Sequence, residues 1–153
     1  MSFTFGSRSE SEMEGVHPKL VSVVRRALEV TQIDFAVIDG LRTIEQQNEY
    51  VRTGASKTMN SMHLRQRDGY GHAVDLVPCV FGKPRWELPL CFQVAAAVKQ
   101  AAMEQGVPIT WGACWDRKLN DLPPNLARAV EDYKARHAGS DFIDAPHFQL
   151  ETP

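Results

Sequence analysis

Asp75 is the residue that most restricts how this chain can fold. It lies inside the apolar run Ala73-Val74-Asp75-Leu76-Val77, a pattern that reads as a buried strand. A carboxylate in such a strand needs a partner, because an isolated buried charge is very costly. The stretch leading into it, Ser61-Met-His-Leu-Arg-Gln-Arg-Asp-Gly-Tyr-Gly-His72, brings two imidazoles close by, and Asp144-Ala-Pro-His147 offers another acid and another imidazole downstream. A metal ion is the most economical partner for such donors. Zinc takes imidazole and carboxylate, and a catalytic zinc usually keeps three protein ligands and one open position. His63, Asp75 and His147 would supply two nitrogens and one oxygen. Asp144, three residues before His147, would stand beside the metal as a proton carrier. Arg42, at the exit of a predicted strand, would face a developing oxyanion or hold a carboxylate bidentately.

Taken singly, each of these residues has an ordinary reading. A lone histidine is usually a satisfied surface or core residue, Asp-x-x-His is common, and Arg42 alone would be a solvated charge at a helix end. His17, before a proline at a helix start, reads as structural, and His137, in a charged helical stretch, as solvated.

The other elements follow from periodicity and punctuation. Residues 1–16 are polar and read as a short helix or an arm laid on the body. His17-Pro18 opens a helix with Leu20, Val23, Val24, Ala27 and Leu28 on one face, proline being tolerated in a first turn. Residues 34–38 read as a strand, followed by a turn at Asp39-Gly40. Thr43 would cap a second helix through Gln46 or Gln47, ending near Gly54. Residues 55–71 read as loop, and residues 72–77 as a strand ended by Pro78. A third helix is predicted over 90–105, stopping at Gly106. A strand is predicted over 107–111, a helix from Leu122-Pro-Pro-Asn to residue 135, and an edge strand over 145–150. Three or four helices and four short strands without regular alternation favour an α+β fold, with a small, mostly antiparallel sheet.

At 153 residues with 43% hydrophobic content, the chain suits one domain with a real core. A net charge of −2 advertises no surface for nucleic acid. No apolar run approaches a membrane span, and the N-terminus lacks a basic start followed by an apolar core. Synthesis in the cytoplasm, no membrane insertion and a monomeric state are the expectations. Cys79, Cys91 and Cys114 form an odd set without close-pair spacing, so reduced thiols in or near the core are expected.

Ser61-Met-His63, Gly71-His-Ala73-Val-Asp75-Leu and Asp144-Ala-Pro-His147-Phe-Gln-Leu together resemble a known signature, Ser-x-His-x-x-Gly-x-Ala-x-Asp followed by (Glu/Asp)-x-x-His. It belongs to the zinc-dependent D-Ala-D-Ala carboxypeptidase and L-alanyl-D-glutamate endopeptidase family. The chain is most similar to the small phage endolysins of that family. Gly15-Val-His-Pro, Ile33-Asp-Phe-Ala-Val-Ile-Asp-Gly-Leu-Arg-Thr43, Gln46, Gly54-Ala-Ser-Lys-Thr58 and Trp111-Gly112 resemble their other blocks.

Carried onto this sequence, the resemblance implies one catalytic zinc on His63, Asp75 and His147, with Asp144 as general base. It implies Arg42 and Ser61 as substrate-binding residues, Arg42 also stabilising the tetrahedral intermediate, and Gln46 in the same pocket. One catalytic domain over residues 1–153 is implied, with an N-terminal arm over 1–16 and no cell-wall-binding domain. The implied reaction is hydrolysis of the L-alanyl-D-glutamate bond of bacterial peptidoglycan stem peptides. The enzyme would wait in the host cytoplasm until a holin opens the membrane. The alternatives are a D-Ala-D-Ala carboxypeptidase or dipeptidase, and a non-catalytic metal- or cell-wall-binding module.

Two features differ from the pattern. Seven residues, 64–70, stand between His63 and Gly71 where the signature has two, which makes His72 a rival ligand. Residues 72 and 75 of one strand point to opposite faces, however, which favours His63. Ala113-Cys114-Trp115 stands where related endolysins carry Gly-Asp-Trp, and Cys114 is read as lining the cleft rather than as an oxidation site or fourth ligand.

Overall fold

The computed structural model describes residues 2–56, 58–137 and 142–151. In chain order the elements are α1 (Ser7–Glu12), α2 (Pro18–Val30), β1 (Asp34–Asp39), α3 (Ile44–Thr53), β2 (Ala73–Val80) and β3 (Lys83–Pro84). There follow α4 (Leu88–Gln105), β4 (Ile109–Trp111), β5 (Cys114–Lys118), a 3-10 turn (Leu119–Asp121), α5 (Leu126–Arg136) and β6 (His147–Leu150). The strands form one antiparallel sheet in the order β1-β2-β6-β4-β5, with β3 paired to β2 as a short hairpin. The fold is α+β, as the pattern of elements predicts. Among the described residues no helix is long and apolar enough to cross a membrane.

Local chemistry accounts for most boundaries. His17 caps α2, its Nδ1 accepting the Lys19 N–H at 3.1 Å, and Pro18 stands in the first turn. Leu20, Val23, Val24, Ala27 and Leu28 are all buried. Thr43 and Gln46 form a reciprocal capping box at α3, which satisfies two orphan N–H groups of its first turn. The helix α4 packs against α2 and lies on β2 and β4. Val74, Leu76, Ile109 and Phe148 of the sheet join Leu20, Val24, Val94, Val98 and Ala101 of these helices in one core. The N-terminal arm is pinned to the edge strand β1: the Ser9 hydroxyl accepts the Val37 N–H at 3.0 Å, and Phe5 packs edge-on against Phe35. This covers an edge that would otherwise expose unpaired backbone groups.

Several expectations change. Strand β2 does not stop at Pro78 but runs to Val80. The Pro78 carbonyl accepts the Arg85 N–H at 2.8 Å, so its nitrogen faces the same side, past the last β6 pairing at Ala73–Asp75. The reciprocal bond that its nitrogen cannot donate falls just beyond the Cys79–Pro84 pairing, at the end of the short hairpin. Helix α4 starts at Leu88 rather than residue 90, with Pro89 accommodated in its first turn. Helix α5 starts only after Asn125, whose side chain accepts the Arg128 N–H. Strand β5 was not anticipated, because its sequence, Cys-Trp-Asp-Arg-Lys, is too polar to alternate cleanly. Since β5 occupies that edge, β6 is not an edge strand but lies between β2 and β4.

Asp116 joins β5 to α5. It accepts two hydrogen bonds from Arg136, at 2.9 and 3.0 Å, and lies 3.0 Å from His137 Nε2. The bond from Arg136 holds this carboxyl well below its ordinary range, outweighing partial burial. A depressed folded-state pKa contributes stability above the unfolded value, about 3.9, and that contribution is lost as pH falls toward the folded value. Asp116→Asn should therefore lower Tm at pH 7, by about 2–4 °C for each kcal/mol removed. The gap to wild type should close as pH drops below about 4, which thermal denaturation across a pH series measures directly.

Candidate metal centre

Side chains alternate along a strand, so with Val74 and Leu76 turned into the core, Asp75 projects from the other face of the sheet. His147 of β6 is its direct cross-strand partner and projects on the same side. His63 reaches this point from the loop before β2. Its Nε2 lies 3.4 Å from Asp75 Oδ1, and His147 Nδ1 lies 3.2 Å from the same oxygen. The two imidazole centroids are 5.1 Å apart. One donor atom from each of the three residues fits within 4.8 Å of the others.

The rings are oriented for a cation. His63 Nδ1 lies 2.8 Å from the Gly40 carbonyl, which takes an N–H there and leaves a lone pair on Nε2. That Nε2 is buried with no hydrogen-bond partner, an orphan that a metal would satisfy. His147 uses the opposite nitrogen: its Nε2 lies 2.8 Å from Gln149 Oε1, and its Nδ1 faces Asp75. Burial works against a charged His147, yet the hydrogen bonds to Asp75 and Gln149 and the charges of Asp75 and Asp144 together outweigh it and move the pKa above the ordinary histidine value. Burial likewise opposes ionisation of Asp75, but His147 and His63 pull its pKa well below the usual range.

Arg42 closes the site on another side. It forms an ion pair with Asp39, donates to Gln47 Oε1 at 2.6 Å, and stands 3.9 Å from Asp75 Oδ2. Its guanidinium lies over the Tyr50 ring at 4.4 Å. Asp144 is half-buried near the same charges, and burial first, then Asp75, raises its pKa above the carboxylate norm.

Two glycines permit the backbone contacts that aim these groups. Gly112 accepts the Asp144 N–H and donates to the His147 carbonyl, both at 2.8 Å. A Cβ on Gly112 would lie 2.1 Å from the Asp144 carbonyl oxygen and 3.0 Å from His147 Cβ. A Cβ on Gly40, which holds the His63 ring, would lie 1.8 Å from the Glu12 carbonyl oxygen. Trp115 flanks the centre, its ring 5.4 Å from that of His147, and donates to the Phe142 carbonyl.

Residues 1–151 match the sequence profile of the phage L-alanyl-D-glutamate peptidases. The chain belongs to this family. It is 36% identical over 136 residues to the L-alanyl-D-glutamate peptidase of Escherichia phage T5, covering 86% of this chain and 95% of that one. Its fold is similar to the crystal structure of the Serratia marcescens L-Ala D-Glu endopeptidase ChiX. The TM-score is 0.72 at 36% identity, over 99% of this chain and 90% of the other.

The extra residues this family member carries over 64–70 leave His63 in place. The His72 N–H bonds to the Met62 carbonyl at 2.8 Å and the Gln66 N–H to the Tyr70 carbonyl at 2.8 Å, so the segment folds back on a closed base. His72 instead faces Asp68, 2.7 Å from its carboxylate, and packs against His17. Cys114 does not line the cleft: it is fully buried, its Sγ 3.5 Å from Asp116 Oδ1. Burial and Asp116 push its thiol up to about 11. Ser61 Oγ accepts the His63 N–H at 3.1 Å, which shapes the turn presenting that imidazole. Gln46 is exposed and engaged at the Thr43 cap, whereas Gln47 is fully buried and meets Arg42. Gln149 escaped sequence reasoning, although a strand residue two beyond His147 must share its face.

His63→Ala should abolish stoichiometric zinc binding while His72→Ala retains it, as metal analysis of the purified proteins would show. Gly112→Ala should keep the fold but reduce both zinc content and activity, because the added methyl displaces the Asp144–His147 backbone.

Proposed function

We propose that this chain is a zinc-dependent endolysin that hydrolyses the L-alanyl-D-glutamate bond of peptidoglycan stem peptides. The observation carrying the reading is the His63–Asp75–His147 donor set, with its orphaned imidazole nitrogen, in a chain of this family. Zinc on these residues would lower the pKa of water to about 7 and polarise the scissile carbonyl.

The chain's own residues do the rest. Asp144, desolvated and therefore more basic than an ordinary carboxylate, takes a proton from the attacking water and passes it to the leaving amine. Arg42 opposes the negative charge that develops on the carbonyl oxygen. Its ion pair with Asp39, its bond to Gln47 and its stacking on Tyr50 fix its position in advance. Ser61 contacts the substrate beside His63, and Gln46, in the first turn of α3, borders the same pocket. The protein acts as a monomer, is held in the host cytoplasm, and reaches the wall once the membrane is permeabilised.

Mass spectrometry of purified muropeptides should show new N-terminal D-glutamate products. Release of D-alanine alone would replace this reading with a carboxypeptidase. Asp144→Ala should bind zinc as wild type does but lose about 10²–10⁴-fold in turnover. Unchanged lysis of outer-membrane-permeabilised cells would remove Asp144 from the mechanism.

A further inference from the structure

His63 and His147 are anchored by different means. The N–H of His63 is taken by a backbone carbonyl, that of Gly40. The far nitrogen of His147 is taken by a side chain, that of Gln149, whose Oε1 lies 2.8 Å from Nε2. Gln149 lies two residues along β6 and so projects from the same face as His147. We propose that Gln149 is a positioning residue of the metal centre, holding His147 as the Nε2–H tautomer so that the Nδ1 lone pair is presented to the cation.

An imidazole that ligates a metal while neutral keeps one N–H, and the partner of that N–H decides which nitrogen is free. At His147 the decision matters geometrically. Only Nδ1 faces the Asp75 oxygen that His63 also approaches, 3.2 Å away, whereas Nε2 points toward Gln149. The other tautomer would put a proton where the cation must sit. The amide oxygen of Gln149 accepts a hydrogen bond but cannot donate one, so in this orientation it stabilises, of the two neutral tautomers, only the productive one. An amide also does so without adding a third carboxylate to a centre that already holds Asp75 and Asp144.

The inference rests on the zinc reading of the site, and its test separates the two. Zinc affinity of the full chain is measured by competition with a chromophoric chelator, for wild type, Gln149→Leu and Gln149→Glu. Gln149→Leu keeps similar bulk without an acceptor and should bind about 10–100-fold more weakly. Gln149→Glu restores an acceptor and should bind at least as tightly as wild type. In ¹⁵N-histidine spectra of the zinc-loaded wild type, the His147 proton should reside on Nε2. Equal affinity of Gln149→Leu and wild type, equal loss in both variants, or a zinc-loaded His147 protonated at Nδ1 would each overturn the proposal and leave the zinc reading standing. A wild-type chain that binds no zinc would overturn both. Should Gln149→Leu fold poorly, the Gln149→Glu affinity and the wild-type spectrum still decide.

Discussion

The carboxylate of Asp75 sets the electrostatic problem that the open face of the sheet is built to solve. Its partner across the β1–β2 ladder is another acid, Asp39, at a register irregularity after Val37. Like charges placed opposite each other in a sheet destabilise it. Arg42 lies between them, paired to Asp39 and 3.9 Å from Asp75. The remaining Asp75 oxygen faces two imidazole nitrogens. One carboxylate thus faces a fixed guanidinium through Oδ2 and a metal-ready pair of rings through Oδ1. Removing Arg42 would leave the two facing carboxylates, Asp39 and Asp75, without the cation between them, which costs more than the pair itself contributes.

Holding these groups in place depends on backbone at least as much as on side chains. Gly40 touches the α1 end at Glu12 and carries the carbonyl that orients His63. Gly112 touches Asp144 and bonds to both ends of the Asp144–His147 turn. Side chains at either position would push apart the segments that deliver a ligand or the acid. The packed face of the sheet, with α2 and α4 behind β2 and β4, gives these contacts a rigid base. Donor groups on strands are held more precisely than those on loops, and two of the three, Asp75 and His147, are on strands. The third, His63, has its loop closed by the Met62–His72 hydrogen bond.

Much of this was legible in the chain itself. Helix α2, the Thr43 cap, the Gly106 stop and strand β1 follow from apolar spacing and capping chemistry, which act over a few residues. The grouping of His63, Asp75 and His147 was also legible, because an acid inside an apolar strand implies a partner and the resemblance to the family signature says which imidazoles supply it. Strand β5 was not, since a polar five-residue strand carries no period of its own and takes its identity from the strand beside it. The same holds for the central place of β6, for Pro78 within β2, and for the exclusion of Cys114 from the cleft.

The sequence by itself determined which residues carry donor chemistry and most of the helices and strands, β5 excepted, because both depend largely on local composition. Tertiary structure alone decided that Asp75 and His147 are opposite each other in register, and that Gln47 rather than Gln46 supports Arg42. It alone also chose which nitrogen each histidine turns toward Asp75. Those outcomes depend on hydrogen bonds between groups far apart in the chain, such as His63 to Gly40 and Gly112 to His147. Such bonds do not exist until the sheet has assembled.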